Sequence, residues 1–477
     1  MKEKFKKISM NLYQMKNEET NIDIHVYLSD KLFNEFLEDE SLRQLYNASM
    51  LKGVISPVVG MPDIHTGFGL PIGGGMATDW QEGVVSAGAV GMDINCGVRL
   101  ITTRIPAEEL TKERLRKILE IISEYVPSGV GKSSAVKAFR KIDLEAIASI
   151  GVSYFIDAGY GRKEDVLRIE DEGRIPFADA GCVPKSAKER ADQLCTIGGG
   201  NHFIEIGRIG SVFDENIAEF FGLQKGFVYI LIHTGSRGFG HQICTEFSKK
   251  MWDNQDKNKT FAPVKGLACA PIHSKDGIEY LGAMGTAANY AFCNRQLITY
   301  FVREAFLKVF KKDEKELGLD VLYDVAHNIA KKEMHGGKWL LVHRKGATRA
   351  LPAGHPDNPQ IYKKTGHPAV IPGSMGTASY VVIGLENNRA TFNSVNHGAG
   401  RVMSRKRAKE EFTEKELLKQ VENVFIASKD LKSLLDEAPL AYKDIDEVVN
   451  TLVDAKLTMP VAKLKPLAVL KGEGEES

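Results

Sequence analysis

Apolar positions in this chain recur in two rhythms. Leu115, Ile118, Leu119, Ile122 and Tyr125 follow the three-and-four spacing that gathers side chains on one face of a helix, and the same rhythm runs through residues 280–310 and 442–455. Elsewhere, β-branched and aromatic residues form short runs at 227–232, 321–325 and 339–342, and at 380–383 with 390–392, which read as a strand pair. Helical and strand segments are interleaved, with no internal repeat and no Pro- or Ser-rich linker. The expected architecture is therefore α+β: a single large catalytic domain over residues 1–472, with central β-sheets surrounded by helices, followed by a short polar tail at 473–477.

Several strand runs give way to polar or Gly-rich residues that include a histidine: His233 before Thr234-Gly235, His327 before Asn328, and His343. One histidine at a strand end means little, since strand ends are commonly exposed. Recurrence makes a shared role the better reading, because mixed folds place chemistry where strands end. Glycine, at 45 of 477 residues, points the same way. Its clusters at 73–75 and 198–200 are flanked by apolar residues, which fits tight turns and close backbone approach to a ligand, not a flexible linker.

Composition adds exclusions. Hydrophobic residues make up 43% and charged residues 26%, enough for a substantial core. The net charge of +1 excludes a uniformly basic nucleic-acid coat and leaves a local basic patch open. Cys96, Cys182, Cys195, Cys244, Cys269 and Cys293 are scattered without a CxxC pair, so reduced thiols are expected. Residues 1–16 lack the apolar stretch of a secretory signal, and no apolar run approaches the ~20 residues of a membrane span. A cytoplasmic protein with no membrane partner is expected.

Candidate chemistry gathers at a few of these positions. Asp93 and Cys96 lie three apart between glycines, where a turn would aim a hard oxygen and a soft sulfur at one point. A structural cysteine beside a turn aspartate fits that spacing equally well. His202, His233 and His327 share polar or Gly-rich settings, and neutral imidazole is the commonest transition-metal ligand. Together the five would suffice for two ions if the thiolate bridges, and a two-metal clamp suits phosphoryl transfer. A further histidine, His397, precedes Gly398-Ala399-Gly400 and a basic stretch with Arg401, Arg405, Lys406 and Arg407. Small residues leave N–H groups open to phosphate, and such a histidine can attack phosphorus if one ring nitrogen is unprotonated and the other is held. The competing reading is a basic surface helix with a capping turn.

Seven motifs occur in an order that resembles the RtcB family of RNA ligases: Gly60-Met61-Pro62-Asp63-Ile64-His65, Gly91-Met92-Asp93-Ile94-Asn95-Cys96, Gly200-Asn201-His202-Phe203-Ile204-Glu205, His233-Thr234-Gly235-Ser236-Arg237-Gly238, Asp324-Val325-Ala326-His327-Asn328, Gly373-Ser374-Met375-Gly376-Thr377 and His397-Gly398-Ala399-Gly400-Arg401. The closing stretch from Lys463 to Gly472 is similar as well, so the likeness extends from about Gly53 to Gly472. Pro372 stands where relatives often carry Gly, and Asn396 where they often carry Cys; the stretch from Arg104 to Arg190 matches less distinctly.

The resemblance implies an RtcB-like fold and a GTP- and manganese-dependent ligase. Such an enzyme joins RNA ends bearing a 2′,3′-cyclic phosphate or 3′-phosphate to 5′-hydroxyl ends, acting as a monomer. It implies that Asp93, Cys96, His202, His233 and His327 hold two Mn2+ ions, and that His397 takes GMP from GTP and passes it to the RNA 3′-phosphate. Asp63 and Arg237 take catalytic parts beside His397. Nucleotide contacts fall to Asn201, His202, Phe203, Ile204, Glu205, His327, Asn328, Pro372, Gly373, Ser374, Met375, Ser379, His397, Gly398, Ala399, Gly400 and Lys471. Arg190, Arg237 and Arg401 are implied to meet RNA phosphate. His65 reads as structural. The alternative function is a metal-dependent phosphodiesterase or cyclic-phosphate hydrolase that never joins ends, and it would need neither the His397 turn nor the guanine contacts.

Overall fold

Two large sheets organise the chain, which a computed structural model describes over residues 1–428, 430–472 and 474. In chain order their strands are β1 (Lys6–Ser9), β2 (Leu12–Lys16), β3 (Asp23–Tyr27), β4 (Val54–His65), β5 (Ile72–Asp79), β6 (Gly97–Pro106), β7 (Phe203–Val212), β8 (Phe227–Thr234), β9 (Asp320–Ala326), β10 (Asn328–His335), β11 (Lys338–Lys345), β12 (Ala369–Ile371), β13 (Ser379–Gly384) and β14 (Thr458–Lys471). The seven-stranded sheet runs β1-β2-β3-β4-β5-β11-β10, and the eight-stranded sheet contains the path β9-β6-β8-β7-β14-β13-β12. The α+β expectation holds. The tail at 473–477 lies outside the described residues except for Gly474.

Between them run helices whose polarity matches their surroundings. Helix α1 (Lys112–Tyr125) is amphipathic and starts at Thr111, whose hydroxyl accepts the Arg114 N–H. Helix α2 (Arg237–Asp253) follows β8, and α3 (Lys275–Phe310) is the longest helix among the described residues. Apolar on nearly every side, α3 is buried along most of its 36 residues, as expected for a helix surrounded by protein. It packs against α1, α2 and the eight-stranded sheet. Two of its buried amides are satisfied by the surrounding backbone: Asn289 donates to the Ile147 and Ala148 carbonyls, and Asn294 donates to those of Thr196 and Gly235. No helix among the described residues is long and apolar enough to cross a membrane.

Two strand readings need correction. Residues 390–392 are not a strand: Glu386–Thr391 forms a 3-10 helix, after which Phe392 and Asn393 adopt left-handed backbone, with φ of 54° and 53°. The Thr391 hydroxyl bonds back into that turn through Asn388, offering the backbone an alternative to a ladder. The strand proper is the short Ser394–Asn396. His343 is likewise not at a strand end, because β11 continues to Lys345; its buried ring accepts the Ser86 N–H at 3.3 Å.

Candidate active site

The register of the eight-stranded sheet brings four motif residues to one edge. Gly97 pairs with both Ala326 and Thr234, and Phe203 pairs with His233. Cys96 therefore enters β6, His202 enters β7, and His233 and His327 leave β8 and β9, all at the same end of four adjacent strands. Asp93 reaches the same point through a tight turn in which the Cys96 N–H donates to its carbonyl at 3.0 Å and Asn95 takes a φ of 53°.

The donor atoms converge. Cys96 Sγ lies 3.2 Å from His202 Nε2 and 3.4 Å from His233 Nε2; His233 and His327 approach through Nε2 at 3.4 Å, and His202 Nε2 lies 3.2 Å from Asp93 Oδ2. Two groups result, Cys96-His233-His327 and Asp93-Cys96-His202, with the sulfur common to both and every member buried. Around a cation with bonds of ~2.0–2.3 Å, neighbouring ligands stand roughly 3–4 Å apart, so the spacing fits a shared coordination shell. Burial keeps His233 and His327 neutral by pushing their pKa values far below the ordinary imidazole range, and raises the Cys96 thiol to about 11. Neutral imidazoles are ready ligands, and a bound cation supplies the charge that a buried thiolate needs. The donor set fits a borderline or soft divalent ion. His202 carries a restraint: Arg237 donates to its Nδ1 at 3.0 Å, so Nε2 serves a cation only if that bond is given up or the ring ionises.

Behind the cluster, one cation fixes the ligand-bearing segments. Arg295, on α3 and fully buried, donates to the Asn95 and Thr234 carbonyls at 2.9 and 2.8 Å and pairs with Asp324 at 2.8 Å. These residues stand beside Asp93 and Cys96, beside His233, and three before His327. Arg99 shares Asp324 at 2.7 Å. The signal for Arg295 is present in the sequence as an arginine within an apolar helical run, although nothing there shows what it reaches.

The second half of the site comes from the other sheet. Asp63, near the end of β4, is wholly buried, and its Oδ2 accepts from His397 Nδ1 at 2.7 Å and from the backbone N–H groups of His397 and Gly398 at 3.0 and 3.3 Å. With Nδ1 occupied as a donor, Nε2 of His397 carries the lone pair. One expectation changes here: the Gly398 N–H serves Asp63 and is not open to phosphate. Gly400 must be glycine on two counts, a φ of +76° and a Cβ that would stand 2.3 Å from the Asp63 carbonyl oxygen. Lys443, also buried, donates to the Pro62 and Ile64 carbonyls on either side of Asp63, at 3.0 and 2.7 Å.

The halves meet at His397, whose ring centroid lies 4.8 Å from that of His327. A cavity of ≈ 260 Å³ is lined by the cluster residues together with Asn201, Asn328, Lys345 and His397. A second, of ≈ 500 Å³, is lined by His397 to Arg401, Asn201, Pro372, Gly373, Arg405, Tyr442, His65, Thr66 and Glu38. His397, Asn201 and Arg405 belong to both.

The remaining expected residues take varied places. Asn328 donates to the Asp93 carbonyl at 3.1 Å and accepts the Gly346 N–H, tying the Asp93–Cys96 turn to the base of the β10–β11 hairpin. Phe203 packs on His233 and under Lys471, and Ile204 lies in the core beneath. Glu205 is buried, takes the Tyr229 hydroxyl at 2.6 Å and has its pKa raised by burial to about 7. Lys471 meets Glu437, which also receives Arg401, Arg405 and Tyr442. In the next loop, Ser379 accepts the Gly373 N–H, Ser374 pairs with Thr377, and Met375 fills a small apolar cluster. Ala399 is buried and lines the larger cavity. Arg401 lines it too, whereas Arg190 is exposed outside both cavities and Arg237 is buried behind His202. Arg405, expected only as part of the basic stretch after His397, lines both cavities. Lys345 and Glu437 have no place in the sequence reading, yet Lys345 lines the smaller cavity and Glu437 holds Arg401 and Arg405.

A family model described as "tRNA-splicing ligase RtcB" matches residues 44–472. Among curated proteins, "tRNA-splicing ligase RtcB" of Nanoarchaeum equitans is 44% identical over 480 residues, covering 98% of this chain and 99% of its own. The protein of the same name from Thermococcus kodakarensis is 42% identical over 455 residues, 94% of each chain. "RNA-splicing ligase RtcB homolog 1" of Entamoeba dispar is 40% identical over 474 residues, 95% of this chain and 87% of its own.

Proposed function

The chain belongs to the RtcB family and is an RNA ligase, and from that premise we propose that it joins 3′-phosphate or 2′,3′-cyclic phosphate ends to 5′-hydroxyl ends through a guanylylated His397. The observation that carries this reading is the His397–Asp63 pair beside the buried thiolate–imidazole cluster. Asp63 accepts the hydrogen bond from Nδ1–H and stabilises the ring as positive charge develops on it, leaving Nε2 to attack the α-phosphate of GTP. The Nε2–P bond forms as the bond to pyrophosphate breaks. The imidazole is then the leaving group when the RNA 3′-phosphate takes the GMP, and the 5′-hydroxyl finally displaces GMP to close the phosphodiester.

Asp93, Cys96, His202, His233 and His327 are the residues that would hold two ions, with Cys96 shared, and the soft sulfur favours manganese, zinc or cobalt over magnesium. When bound, such ions supply positive charge against phosphate oxygens and can activate water on a cyclic end. Asn201 to Glu205, the loop 372–375, Ser379 and Lys471 are assigned to the guanine nucleotide, with buried Glu205 offering a carboxylate to base N–H groups. The basic side chains at the larger cavity, Arg401 and Arg405, are suited to phosphate. Arg237, through His202, bears on the cluster; a direct part with RNA would need it to turn outward. Incubation with labelled GTP and Mn2+, followed by a denaturing gel, should give a labelled chain with the acid lability of a phosphoramidate. A chain that binds metal and opens cyclic phosphates without taking label would be the hydrolase instead.

A further inference from the structure

Three residues that line the larger cavity, Glu38, His65 and Thr66, are given no part in metal binding, guanylylation or phosphate contact by the ligase reading. Of the other polar side chains there, Arg401 and Arg405 can only donate and suit phosphate oxygens, whereas Asn201, Ser404 and Tyr442 can donate or accept. The His397 lone pair is committed to GMP transfer in the ligase reading. A ligation also needs the opposite kind of group. The incoming 5′-hydroxyl is a donor that must lose its proton as it attacks, so it needs an acceptor within reach of the bond being made.

His65 has that property by construction. Its Nδ1 lies 2.8 Å from the Asp63 carbonyl oxygen, and a carbonyl can only accept, so Nδ1 carries the proton and Nε2 the lone pair. Nε2 has no partner among the described residues, and the ring lines the cavity that His397 also lines. Burial and the nearby Lys443 ammonium lower its pKa to about 4, so the ring is neutral at physiological pH. RNA phosphate arriving in the cavity favours the protonated form and raises its basicity during the step in which a base is needed. Glu38 is the less suitable acceptor: it is exposed, and its Oε2 already takes both the backbone N–H and the hydroxyl of Thr66.

Resting on the ligase reading, we propose that His65 is a further catalytic residue, whose Nε2 takes the proton of the attacking 5′-hydroxyl in the sealing step. The O5′–P bond to the RNA 3′-phosphate forms, the P–O bond of the pyrophosphate bridge to GMP breaks, and GMP leaves with that bond's electron pair. The hydroxyl proton passes to His65 Nε2 and later to water. This role is separate from that of His397, which acts when GMP is taken up and passed on.

The test divides the steps. In His65→Asn the amide still reaches the Asp63 carbonyl with an N–H but offers no basic atom at the Nε2 position; His65→Gln also lacks a base and serves if the Asn variant does not fold. Wild type and variant are compared for enzyme–GMP formation with GTP and Mn2+, and for sealing of an RNA already carrying a 3′-pp-G end. The expected result is adduct formation within about threefold of wild type and sealing slowed on the order of 10²–10³-fold, with the activated RNA accumulating. Sealing at the wild-type rate would overturn the proposal. So would an equal loss in both steps, which would make His65 only a support for Asp63. If wild type itself takes no label from GTP, the ligase reading fails instead, and that result is distinct from either.

Discussion

The two halves of the site are built by different means. On the metal side, sheet register does the positioning: four adjacent strands end or begin at the ligands, and a buried guanidinium binds the ligand-bearing segments together. On the His397 side, one buried carboxylate gathers a ring nitrogen and two backbone N–H groups, with a glycine turn over it and a buried ammonium beneath. The first arrangement is over-determined by many backbone hydrogen bonds. The second concentrates its geometry in a few charged contacts, and substitutions there should act mainly on chemistry and not on assembly.

The largest expected effect follows directly. His397→Ala should abolish the GMP adduct while leaving metal content unchanged, as read by denaturing gel and by metal analysis of the same preparation. Asp63→Asn keeps the side chain's shape and can set its amide oxygen in the place of Oδ2, but it brings no negative charge to stabilise the ring as positive charge develops on it. Adduct formation should fall by about 10³–10⁴-fold, the scale seen when the orienting carboxylate of a nucleophile–base set is neutralised. Metal loss in either variant would show that the halves are not separable. Across the divide, Cys96→Ala removes the donor common to both groups of ligands, so bound metal and adduct formation should fall together. Retention of two ions by that variant would remove the sulfur from its bridging place.

The same contrast decides how much is legible in the chain before it folds. Strands that stop at a histidine are visible in one sequence, because apolar alternation breaks where the polar ligand begins; His233 and His327 are found that way. His343 shows the limit, since an apolar run of four residues does not reveal that the strand continues through a buried imidazole. Convergence is not legible at all, because the separation along the chain between Asp93 and His327 is closed only by cross-strand pairing. Arg295, Lys443 and Glu437 escape sequence reasoning for a related reason. Each is a charge within an otherwise apolar or mixed stretch, and its meaning lies in backbone carbonyls or ion partners that sequence spacing does not expose. The strand reading of 390–392 fails because side-chain hydrogen bonds within a turn outweigh its β-forming residues.

A smaller effect tests whether register alone holds the metal side. Arg295→Lys retains the charge but not the fork that reaches Asn95, Thr234 and Asp324 at once. Metal affinity should fall by about 10–100-fold, the usual effect of losing a group that orients ligands, with the donors all still present. Isothermal titration of Mn2+ into metal-free protein measures this directly. Unchanged affinity would mean that the strand ladders suffice and the guanidinium serves only the packing of α3.

The smallest effect concerns charge on the other side. Burial lowers the Lys443 ammonium to about 8, below the value of about 10.5 for an exposed lysine. Between those values the unfolded chain binds the proton more tightly than the folded one, so this group costs stability below pH 8 and the cost is relieved as pH rises towards 10.5. Lys443→Met removes the titration, together with the two hydrogen bonds that flank Asp63. The stability of wild type relative to the variant should therefore increase between pH 8 and pH 10, at no more than about 1.4 kcal/mol per pH unit. Denaturant unfolding of both proteins at several pH values measures the difference and cancels groups common to the two. A constant difference would mean that Lys443 stays protonated in the fold throughout, and that the Asp63 carboxylate offsets far more of its burial than the geometry provides.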